Sequence, residues 1–97
     1  MKKDKIILVG GGGHCKSCID IIEQENKFDI AGIVDLPNKI GESILGYKVI
    51  ACDDEIDKLT KQYQNFLITV GHIHSYEKRV SLFNKLSSCN INIMQGI

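Results

Sequence analysis

The stretch Lys5-Ile6-Ile7-Leu8-Val9-Gly10-Gly11-Gly12-Gly13-His14-Cys15-Lys16-Ser17-Cys18 joins a short apolar β-branched run to four glycines and then to residues with helical spacing. That order is the sequence form of a strand, a tight turn and a helix N-terminus. Glycines carry no Cβ to keep a ligand off the backbone, and the unpaired N–H groups and dipole of a helix start favour an anion. The turn is therefore a candidate phosphate site. Gly10, Gly11, Gly12 and Gly13 supply its backbone, with His14 able to offer an imidazole N–H and Lys16 a point charge.

Downstream of the turn, Cys15, Cys18, Ile19 and Ile22 recur at i, i+3, i+4 and i+7, which predicts an amphipathic helix over residues 14–25 with both cysteines on its apolar stripe. Phe28 to Val34 reads as a second strand ending at Asp35, with Leu36-Pro37-Asn38 as its exit. Strand, helix and strand in this order form a βαβ unit. Its right-handed crossover makes the strands parallel and brings the glycine turn and Asp35 to one carboxyl edge, where open α/β sheets bind ligands. Asp35 lies 25 residues past Gly10, at the place where such folds often hold a ribose hydroxyl.

Residues 38–51 read as a loop followed by a brief edge strand, Tyr47-Lys48-Val49-Ile50. Asp53, Asp54 and Glu55 place negative charge at the start of a helix that runs to about Gln62, with Ile56, Leu59 and Tyr63 inward. Asn65 to Val70 is almost wholly apolar, as a central parallel strand should be, and Gly71 ends it at the ligand edge with His72 overhanging. Ser75 can cap a last helix reaching about Cys89, with Tyr76, Val80, Phe83 and Leu86 buried, and Asn90 to Met94 would make a final strand. The expected architecture is a small α/β, Rossmann-like three-layer domain. Its sheet is mostly parallel, with about four strands and a short edge strand.

Ninety-seven residues allow one domain, spanning residues 1–97. Twelve basic residues offset twelve acidic ones without blocks of either sign, which argues against nucleic acid or an anionic membrane as partner. The apolar run after Lys3 is far shorter than the roughly 20 residues of a membrane span, so a cytoplasmic protein is expected, its four cysteines reduced. Cys15-Lys16-Ser17-Cys18 has the C-x-x-C form of a redox site, but both thiols fall on the apolar stripe and read better as small buried hydrophobes. A zinc site from His14, Cys15, Cys18 and His72 or His74 lacks a second ligand pair at a usual spacing, so no metal is expected. The dinucleotide fingerprint needs a third glycine or alanine where Cys15 or Lys16 stands, which places an NAD(P)-binding oxidoreductase fragment second. A non-binding interaction module is a third reading. No Ser-His-Asp set or nucleophile elbow is written, and no catalytic residue is assigned.

Several short motifs occur together and in order. Gly10-x-x-Gly13-His14-x-Lys16 follows the first strand and Gly32-Ile33-Val34-Asp35 closes the second; Gly41 to Gly46 leads into Tyr47-x-Val49-Ile50; and Val70-Gly71 precedes a helix carrying Arg79. This set resembles the N-terminal nucleotide-sugar-binding domain of the bacterial sugar O-acyltransferase family, which includes sialic acid O-acetyltransferases and the UDP-amino-sugar N-acetyltransferase of bacillosamine synthesis. The resemblance implies that Gly10 to His14 contact phosphate or ribose and Asp35 the nucleoside end, with the Gly71 loop nearby and a nucleotide sugar, a UDP-linked amino sugar, as the expected ligand. It also implies that the domain itself binds no cofactor. In that family a following left-handed β-helix binds acetyl-CoA, trimerises and supplies the catalytic histidine. No run of hexapeptide repeats is written here, so that acyltransferase half is expected to be missing and the chain alone inactive in transfer. Cys15, Leu36 and His72-Ile73 differ from the residues usual in the family, and all fall at the expected ligand edge.

Overall fold

In a computed structural model the described residues are 3–11, 13–69, 76–89 and 91–94. The first strand, β1 (Asp4–Val9), is the axis of the molecule: Ile6, Ile7, Leu8 and Val9 are all essentially fully buried, so both faces of this strand are covered. It leads into α1 (Gly13–Glu25) and β2 (Phe28–Asp35). Then come a two-residue strand β3 (Ser43–Ile44), β4 (Tyr47–Cys52), a single-turn helix α2 (Ile56–Leu59), β5 (Asn65–Ile68), α3 (Tyr76–Ser87) and β6 (Asn92–Met94). The sheet runs β3-β4-β2-β1-β5-β6, parallel throughout except for β3.

The alternation of side chains along each strand sorts the core into two layers. Ile6 and Leu8 face α1 and pack with Cys15, Cys18, Ile19, Ile22, Ile33, Val49 and Leu67. Ile7 and Val9 face the other way, onto Val34, Phe66, Ile68 and the helical residues Ile56, Leu59 and Leu86. Helices thus cover both faces of the sheet, the three-layer Rossmann-like arrangement the sequence leads one to expect. The expected first helix and the strands at 28, 65 and 92 appear within a few residues of the expected limits. Val70, Gly71, His72 and the Ser75 cap lie outside the described residues.

Three expectations need correction. Among the described residues the sheet has six strands, because residues 38–46 hold β3 as well as a loop, and 47–52 is a full strand between β2 and β3. What joins β3 to β4 is a two-residue turn, Leu45-Gly46, with both residues at positive φ (50° and 91°), the backbone that matches hairpin twist. The helix expected over 53–62 shrinks to a 3₁₀ turn at Asp53–Glu55 plus α2, after which the Lys61 and Gln62 N–H groups bond only three residues back, to Lys58 and Leu59, in a tighter turn. Finally, Leu86 is fully buried, but Val80 and Phe83 remain 40% and 37% exposed. At about 100° per residue Val80 lies roughly 120° around the helix from Leu86, so one narrow stripe cannot bury both.

Candidate functional site

β1 has β2 on one side and β5 on the other, so the strand order reverses at its carboxyl end, the place where doubly wound sheets take ligands. The first residue past β1 is Gly10, with φ 120°, a backbone that side-chain-bearing residues rarely adopt. Its N–H donates to the Val34 carbonyl at 2.7 Å, tying the turn to β2. From the other flank, the Thr69 N–H donates to the Val9 carbonyl at 2.9 Å and the Thr69 hydroxyl to the Gly10 carbonyl at 2.5 Å. The turn is therefore stitched to both neighbouring strands.

Gly11 has a different reason to be glycine. A Cβ there would stand 2.3 Å from Asp35 Oδ2 and 2.9 Å from the end of Ile44, so the carboxylate and the methyl already fill that space. Asp35 Oδ1 accepts the Leu36 N–H at 2.8 Å, which fixes the carboxyl group and turns Oδ2 to the glycine turn. Asp35 also pairs in register with Cys52, whose N–H bonds Glu55 Oε1 at 3.2 Å. A carboxylate beside Gly11 repels phosphate and welcomes hydroxyl donors. The α1 N-terminus, whose first turn carries no acidic residue, is the part of this edge whose electrostatics suit an anion.

Of the residues singled out in the sequence, Gly10, Gly11 and Asp35 are brought together here, and Gly13 and His14 are the first two residues of α1. Lys16 is exposed on the same helix. Gly12, Gly71 and His72 lie outside the described residues. Cys15 and Cys18 are buried in the layer under α1 with Ile19 and Ile22, as small hydrophobes would be. Burial pushes the Cys15 thiol up to about 11; a hydrogen bond with Thr69 pulls it down, and the charges of Cys18 and Asp35 add to the rise. Such a thiol is protonated and unreactive at neutral pH. Among the described residues no group of three or more His, Cys, Asp or Glu could hold a metal ion.

Sequence reasoning missed Thr69 and Ile44. Thr69 was legible in principle as the polar residue near the carboxyl end of the largely apolar run 65–70. Nothing in the sequence marks Ile44, which reaches Gly11 only because the hairpin folds back over α1's side of the sheet.

The model of the PglD N-terminal domain family matches residues 5–86. The chain belongs to that family. The resemblance read from the glycine turn, Asp35 and the Gly71 segment is borne out by this match. Among curated proteins none matches significantly. Among solved structures, a perosamine N-acetyltransferase from Caulobacter crescentus, in complex with CoA and GDP-perosamine, superposes with a TM-score of 0.76 at 24% identity over 90% of this chain and 39% of its own. UDP-D-quinovosamine 4-dehydrogenase from Vibrio fischeri gives a TM-score of 0.72 at 13% identity, over 94% of this chain and 75% of its own. The Rex-family repressor RSP in complex with NADH gives 0.68 at 16%, over 99% and 48%. At these identities the likenesses show a shared Rossmann-like fold. The chain spans well under half of the acetyltransferase.

Proposed function

We propose that this PglD-type domain binds a nucleotide sugar at the carboxyl edge of its sheet. Gly10, Gly11, Gly12, Gly13 and His14 would contact phosphate or ribose, with Lys16 supplying charge, Asp35 would take nucleoside hydroxyls, and Gly71 and His72 would border the ligand. The observation that carries the reading is the meeting of the stitched glycine turn, the α1 N-terminus and Asp35 Oδ2 at the topological switch point. Family membership supports it, and so does the acetyltransferase neighbour, whose structure holds GDP-perosamine. A UDP-linked amino sugar is the specific ligand we favour. Acetyl transfer would need a companion β-helix domain with its own acetyl-CoA site and histidine base; this domain would contribute binding and orientation only. A reducing compartment suits a chain whose Cys15 and Cys18 pack as small hydrophobes, and we place the protein in the cytoplasm. No described helix is long and apolar enough to cross a membrane.

Calorimetric titration with UDP-N-acetylglucosamine, a UDP-4-amino sugar, CMP-sialic acid and NADH tests the reading. One nucleotide sugar should bind and NADH should not. The NADH-bound repressor neighbour makes dinucleotide binding the second reading, and preference for NADH would install it. Silence from all four ligands with the fold intact would leave a domain that serves only in protein contacts.

A further inference from the structure

Thr69 stands immediately after β5 and is 1% exposed, and both of its donors engage β1 and the glycine turn. The main-chain N–H donates to the Val9 carbonyl and the hydroxyl to the Gly10 carbonyl. A trans peptide is planar, with its C=O and N–H pointing opposite ways. Holding the Gly10 carbonyl on β5 therefore sends the Gly11 N–H away from β5, and among the described residues that N–H meets no acceptor. A peptide between two glycines turns over at little steric cost, and the reversed orientation would present the ligand with a carbonyl oxygen instead of a donor.

We propose that Thr69 is a positioning residue: its hydroxyl sets the sense of the Gly10–Gly11 peptide and so leaves the Gly11 N–H as a ready-made donor for an oxygen of the bound ligand. The inference rests on the nucleotide-sugar reading for the identity of that oxygen.

The test compares Thr69→Val, which keeps the shape and removes the donor, with Thr69→Ser, which keeps the donor. Each is titrated with the nucleotide sugar that the wild-type chain binds, and each is examined by ¹H–¹⁵N spectroscopy at the Gly11 amide. Thr69→Val should bind about tenfold more weakly, and its Gly11 amide should shift or double, while Thr69→Ser restores both. Wild-type affinity in folded Thr69→Val, or a tenfold loss in folded Thr69→Ser, would overturn the proposal. The serine variant decides alone if the valine variant does not fold. A wild-type chain that binds no nucleotide sugar would refute the functional reading, and the positioning role would then be judged on the amide: a single, unshifted Gly11 signal in Thr69→Val overturns it.

Discussion

Asp35 and Gly11 depend on each other at the scale of single side chains. Gly11→Ala drives a methyl into Asp35 Oδ2, and we expect it to cost about 1–3 kcal/mol in urea unfolding as the carboxylate is forced aside. Much of that cost should vanish in an Asp35→Ala background, a coupling that a double-mutant cycle measures; strict additivity would refute the packing explanation. Cys15 yields a pH prediction. Its proton is held more tightly in the folded state, up to about 11, than in the unfolded chain near 9.0, so the folded protein binds more protons between those values and stability falls as pH rises through them. The contribution is complete below about pH 9 and amounts to at most about 3 kcal/mol. Denaturation curves from pH 8 to 11 should therefore fall less steeply for Cys15→Ala than for wild type.

The β3–β4 hairpin and α3 are where individual elements depart from their sequence signals. Gly46 has nothing within 4 Å of a would-be Cβ, so Gly46→Ala isolates the backbone cost of its φ of 91°, about 1 kcal/mol of lost stability. Leu45→Asn should stabilise by a few tenths of a kcal/mol, because asparagine tolerates the left-handed backbone better and Leu45 is 58% exposed. On α3, Leu86→Ala should cost about 2–5 kcal/mol and Phe83→Ser under about 1, an ordering that thermal or urea melts would read directly. These elements also show what was legible. β1, the glycine turn, α1 and β2 are plain in the sequence because local pattern and tertiary environment agree from Lys5 to Asp35. Leu45-Gly46 carries no asparagine or aspartate to announce a hairpin, so the paired status of Ser43–Ile44 was hidden. In α3 the apolar residues ring too much of the helix for period alone to select the buried side. At the site, Gly10, Gly11 and Asp35 follow from strand-end logic, whereas Thr69 and Ile44 enter through contacts between segments distant in sequence.

For the molecule as a whole, a ligand bound as proposed at the switch point would touch the ends of β1, β2 and β5 together, so its binding energy should appear as global stability. At a concentration 100 times its dissociation constant, a nucleotide sugar should add about 2.7 kcal/mol to unfolding, seen as a higher melting temperature for wild type and a smaller rise for Gly11→Ala. The central position of β1 has a consequence for biosynthesis. Its pairing with β2 can form as soon as the first 35 residues have left the ribosome, but its other edge stays bare until Asn65–Ile68 has been made. During that interval the nascent chain carries an apolar strand with one open side and half of its ligand mouth. Translation pausing before Ile68, or truncation there, should therefore yield a species that chaperones retain and that no nucleotide rescues.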